Sequence, residues 1–151
     1  MQDAEGEHWR MFHFIRDSCS FPEAADRGRA RRAAEAFGRF VAELSGLPGP
    51  PLHETIPGFH DTLARLSALE AAAEADPAGR ARSVGAELEA LLSRRDAAAP
   101  ICRLAATHEF PRRVVHNDTK IDNVRFDSEG SEALCVVDLD TVMEGSPLYD
   151  F

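Results

Sequence analysis

No apolar run in this chain of 151 residues approaches the roughly 20 residues needed to cross a bilayer. The N-terminus, MQDAEGEHWR, is acidic and polar where a signal peptide would be basic and then apolar, so the expected location is the cytoplasm. A basic excess is missing too: 17 Lys and Arg stand against 26 Asp and Glu, and the net charge of -9 repels phosphate backbones and anionic lipid. Nucleic acid and membrane surfaces are therefore not expected partners. Cys19, Cys102 and Cys135 are too few, too scattered and odd in number for a disulfide framework, and none belongs to a C-x-x-C pair. They read as reduced, mostly buried thiols. Internal repeats and useful heptad runs are also lacking. What is present, 44% hydrophobic and 28% charged residues, is the composition of a chain that folds, with room for one domain or part of one.

The segment HWRMFHFI carries bulky groups on both alternating faces, Trp9, Met11, His13 and Ile15 on one and Phe12 and Phe14 on the other. It predicts a strand buried on both sides. After the turn-like DSCSFP, residues 23–44 place Ala30, Ala33, Ala34, Phe37, Val41 and Leu44 at helical spacing, with Gly46 as a stop. GLPGPPLHETIPG is too rich in proline and glycine to continue a helix and reads as a loop or interlobe connection. Helical periodicity returns at Phe59, Leu63, Leu66, Leu69 and Ala73, breaks at Asp76-Pro77, resumes with Val84, Leu88, Leu91 and Leu92, and extends to Ile101 and Leu104. From Arg113 the pattern changes to RVV, HNDTKIDN, VRF, DSEGSEA and LCVVDLD: strand, polar loop, strand, turn, strand.

The chemistry concentrates there. Asp118 and Asn123 lie five apart on the polar loop, and a hairpin through the turn at residues 128–131 returns Asp138 to the level of Asn123. A carboxylate and an amide oxygen are hard ligands suited to Mg2+, which completes its octahedron with water and phosphate oxygens. Asp118 is left to accept a proton.

HNDTKIDN and VVDLD match the H-x-D-x-x-x-x-N loop and the metal-binding strand of kinase-like phosphotransferases. The chain resembles the aminoglycoside phosphotransferase and choline kinase superfamily. Within it, HETIPGFHDT, HNDTKIDNV and DLDTVMEGSPLYDF look like the N-acetylhexosamine 1-kinase group of sugar kinases. The resemblance implies an α+β, protein-kinase-like fold: a mostly helical C-terminal lobe, one N-terminal strand from the hinge, and a short catalytic hairpin. It implies ATP and Mg2+ as cofactors and a small-molecule acceptor, the anomeric hydroxyl of an N-acetylhexosamine. Asp118 is then the catalytic base, Lys120 offsets charge on the phosphoryl group in flight, and Asn123 and Asp138 hold Mg2+ on the nucleotide phosphates. Asp140 is either a second metal ligand or a turn-capping carboxylate. Against the family pattern, nothing before Trp9 supplies a phosphate-covering loop or an ATP-anchoring lysine, and no glycine-rich loop occurs anywhere. Residues 1–151 are accordingly expected to be a partial domain, inactive alone, with the nucleotide lobe and the acceptor-pocket helices missing.

Other readings compete. His116 reads as a brace for the loop, Tyr149 as packing, and Asp122 and Glu144 as solvated charges. His53, Glu54, His60 and Asp61 fit no zinc spacing and are expected on a loop that contacts substrate or the other lobe. LCVVDLDTV also resembles the first motif of haloacid dehalogenase-type phosphatases, with Asp138 as nucleophile and Asp140 as acid/base. That motif opens its domain, whereas 13 residues follow Asp138 here, and it leaves HNDTKIDN unexplained. A non-catalytic kinase-like binding module remains open. Composition and motifs do not decide the oligomeric state.

Overall fold

The structure is a computed structural model that describes residues 1–107 and 111–151. Its core forms where one amphipathic helix crosses a small antiparallel sheet. Strands β1 (Ser18–Cys19), β3 (Val124–Asp127) and β4 (Ala133–Val136) lie in the order β1-β3-β4. Val124 and Phe126, both fully buried, face Ala33, Ala36 and Phe37 of helix α1 (Arg27–Glu43). Phe21 closes one edge, its ring meeting Phe126 edge-on at 5.5 Å. A second pair, β2 (Arg113–Val115) with β5 (Met143–Gly145), runs antiparallel, with Val115 opposite Met143. Gly145 is required there, because a Cβ would stand 2.8 Å from the Val115 side chain. Helices α2 (Thr62–Ala75), α3 (Gly85–Leu92) and α4 (Arg95–Thr107) form the rest, with α2 lying against α4. Among the described residues no helix is long and apolar enough to cross a membrane. The architecture is small α+β, as expected, with the short β1 ahead of the helices and the other strands after them.

Several local expectations need correction. Residues 9–15 form no strand: Trp9, Met11, Phe12 and Phe14 are exposed, the last at 86%. A strand bulky on both faces needs cover on both sides, and the edge of β3 is taken for only two residues, by Ser18 and Cys19. Asp17, at a left-handed φ of 50°, turns the chain away just before that pairing begins. The supposed turn DSCSFP thus contains the strand, and the supposed strand is open chain. Helix α1 starts at Arg27, four residues later than its periodicity suggests, because the Asp26 carboxylate takes the Arg29 N–H at 2.8 Å and caps it. The sheet covers the face of Ala33, Ala36 and Phe37, so Ala30 and Ala34, expected in the core, are exposed. They wall an open apolar groove with Ile121, Pro147 and Phe151. Strand β5 went unpredicted, being only three residues of no clear alternation. The three thiols are free, as expected, and each is partly rather than fully buried.

Candidate active site

The polar loop leaves β2 at Val115, and nearly every backbone group at its start has a named partner. The Asp150 carboxylate accepts the N–H of His116 at 2.6 Å and of Asn117 at 2.7 Å. The Thr141 hydroxyl donates to the His116 carbonyl at 2.7 Å, and the Asn117 amide returns the tie to the Thr141 carbonyl at 2.9 Å. Asn117 itself is left-handed, φ 67°, a conformation that asparagine tolerates better than most residues. This kink reverses the chain immediately before Asp118.

His116 is fully buried, with Phe37 and Phe40 meeting its ring edge-on. Its Nδ1 accepts the Asp118 N–H at 3.3 Å. Its Nε2 therefore carries the proton and donates to the Val137 carbonyl at 2.9 Å. One ring thus joins the loop to the residue that precedes Asp138. On the other side, Val124 pairs with Val136, and the Val137 N–H reaches the Asn123 carbonyl at 2.8 Å. The register leaves Asn123 opposite Val137, so the hairpin brings Asp138 to within one residue of the level of Asn123.

Asp118 is partly buried at the mouth of the loop. Its carboxylate accepts from the Asn123 side-chain amide at 3.0 Å and pairs with the Lys120 ammonium at 3.1 Å. Burial alone would push its pKa up, but the hydrogen bonds from Lys120 and Asn123 and the lysine's charge outweigh it. The carboxyl is held below the ordinary value, and the Lys120 ammonium is held above its own by the same contact. Asp118 is therefore an ionised acceptor whose side chain is 33% exposed. Asn123 spends its N–H2 on Asp118, which leaves the amide oxygen for a cation. Asp138 is exposed and left-handed, φ 63°, and its carboxylate has no hydrogen-bond or ion-pair partner among the described residues. This donor set, one free carboxylate and one oriented amide oxygen, fits a hard cation that keeps most of its water. No group of three or more His, Cys, Asp or Glu residues among those described is arranged to hold a metal.

The remaining expected residues lie away from the Asp118 carboxylate or around a neighbouring pocket. Asp140 lies in a short 3-10 turn, Leu139–Thr141, and its carboxylate pairs with Arg10. Asp122 is exposed, and Glu144 is half-buried in β5. Tyr149 stacks on His60, with centroids 4.8 Å apart and planes at 25°. Asp61 caps α2 by accepting the Ala64 N–H, Glu54 accepts the Gly58 N–H, and His53 is exposed; Glu54, His60 and Asp61 line one open pocket beside Asn117 but form no metal cluster among the described residues. Sequence reasoning missed Asp150 and Thr141, which hold the loop from 33 and 24 positions away from Asn117. Neither stands in a pattern that signals such a role. A sequence model described as the phosphotransferase enzyme family matches residues 2–151.

Proposed function

The chain belongs to the phosphotransferase enzyme family, and from that premise we propose that its site transfers the γ-phosphoryl group of ATP to a small-molecule hydroxyl, the anomeric one of an N-acetylhexosamine. The observation that carries the reading is the partly exposed Asp118 carboxylate, held by Asn123 and Lys120 on a loop pinned from both sides. As acceptor of the hydroxyl proton, Asp118 needs no high pKa, since little negative charge leaves the nucleophile before the transition state in a loose phosphoryl transfer. Lys120, exposed and paired only with Asp118 among the described residues, can swing to a phosphoryl oxygen. Asn123 and Asp138 would hold Mg2+; when bound, the ion neutralises charge on the polyphosphate. Asp140 is engaged by Arg10 and would join the ligands only if that pair opened. The sequence has no glycine-rich loop, and its one lysine is Lys120. The reading therefore assigns phosphate cover and the nucleotide-anchoring lysine to residues outside these 151, and the site to the cytoplasm, where ATP is abundant.

The test is transfer from labelled ATP to a panel of N-acetylhexosamines, other sugars, choline and aminoglycosides, by a protein that carries these residues with a nucleotide-covering segment. Phosphate on the anomeric oxygen of an N-acetylhexosamine is the expected result, and residues 1–151 alone are expected to show no detectable transfer. Transfer to another hydroxyl would replace the acceptor and keep the reaction. No transfer to anything, with Mg-ATP affinity unchanged in Asp138→Ala by calorimetry, would favour a non-catalytic module.

A further inference from the structure

We propose that His60 is a positioning residue for the base, acting through the carbonyl of Asn117; the inference rests on the reading of Asp118 given above. The His60 Nε2 lies 2.9 Å from the Asn117 oxygen, and because a carbonyl can only accept, this nitrogen carries the proton and donates. The bond falls on the peptide between the left-handed Asn117 and Asp118. Asp150 fixes the two N–H groups on the approach to this kink, and His60 fixes the carbonyl that leaves it. Without the second hold, this peptide keeps only the longer 3.3 Å bond from the Asp118 N–H to His116 Nδ1, and any rotation carries the Asp118 side chain with it.

The imidazole is itself held from several directions. Tyr149 stacks on one face, and Phe59 lies tilted against it at 4.7 Å. The Phe59 carbonyl accepts the Arg65 guanidinium at 2.9 and 2.5 Å, and Asp61 caps α2. The residues on both sides of His60 are thus locked to the first turns of α2, and the helix presents the ring to the loop as a fixed donor. This gives the segment HETIPGFHDT a task that its composition hides: it carries a brace for the base, with no metal ligand required. Rigid support of this kind matters because a small misplacement of a catalytic group lowers rate far more than it lowers binding.

Two variants separate the hydrogen bond from simple packing. His60→Phe keeps a ring for Tyr149 and loses the donor, whereas His60→Gln keeps a donor and loses the ring. Amide hydrogen exchange on the full chain should show the Asn117 and Asp118 amides exchanging about fivefold faster in His60→Phe, with Val124 and Phe126 in β3 unchanged and His60→Gln close to wild type. In a protein competent for transfer, His60→Phe should lower kcat about tenfold and leave the KM for ATP within twofold, with recovery in His60→Gln. Unaltered exchange and kcat in His60→Phe, or losses in His60→Gln alone, would overturn the proposal. Absence of transfer by the wild type would instead remove the reading of Asp118, while the exchange measurement would still decide whether His60 holds the loop.

Discussion

The segment from Trp9 to Phe14 and the loop from His116 to Asn123 invert the usual expectation of what gets buried. The first is the most apolar stretch of the N-terminal region, yet Trp9, Met11, Phe12 and Phe14 are exposed. The second is almost wholly polar, yet His116, Asn117 and Asn123 are buried. The difference is one of partners. Most buried polar groups of the loop have a donor or acceptor within reach, supplied by Asp150, Thr141, His60 and Val137, so their desolvation is offset. The apolar segment has no second surface among the described residues, and hydrophobicity without something to pack against does not make a strand.

The sharpest break in this comparison comes from Asp118→Asn. In a protein competent for transfer, turnover should fall by about 10²- to 10⁴-fold with nucleotide affinity little changed, since the amide keeps the shape and loses the proton acceptor. Steady-state kinetics with a direct nucleotide titration measures both, and turnover within a few-fold of wild type would count against the base. Next in size is a paired test of the two regions. Phe126→Ala, in the fully buried core, should cost about 3–5 kcal/mol, whereas Phe14→Ser should change stability by less than ~0.5 kcal/mol and reduce self-association. Chemical denaturation and light scattering report the two effects, and a large loss at Phe14 would show that the segment packs in solution.

A smaller effect is expected at the Asp26 cap, where Asp26→Ala should cost about 1 kcal/mol by removing the acceptor of the Arg29 N–H. A melting curve identical to wild type would mean that α1 frays there at no cost. The smallest concerns pH. Because the Asp118 carboxyl is held below its ordinary value in the folded chain, its contribution is present above the unfolded carboxylate pKa. It is lost as pH falls through the lowered folded value. The stability difference between wild type and Asp118→Asn should therefore shrink on acidification below the usual carboxylate range, and a difference that stays constant would contradict the Lys120 and Asn123 contacts.

What the sequence made legible follows the range over which each feature is encoded. The loop and hairpin were readable because Asp118, Asn123 and Asp138 are set by a few adjacent residues and one tight turn, and strands β2, β3 and β4 appeared close to where the pattern put them. Helix α1 was readable in kind but misjudged at its start, since a cap decided by the one carboxylate of Asp26 begins it four residues after Glu23. Residues 9–15 were misread because alternation reports how a strand would bury, not whether a partner exists. Asp150 and the task of His60 stayed hidden for the opposite reason: Asp150 holds the loop by two hydrogen bonds and His60 by one, all made across a long stretch of chain.

The pairing of β2 with β5 carries a consequence for how the site is assembled. Every residue from His116 to Asp140 lies between Val115 and Met143, which face each other in that pair. Once those strands meet, the base, the lysine and the cation ligands are confined to a single closed loop. The remaining contacts among them are then local searches, with the main entropic cost of closure already met. Disruption of that seam, far from any reacting atom, would scatter all of the chemistry at once.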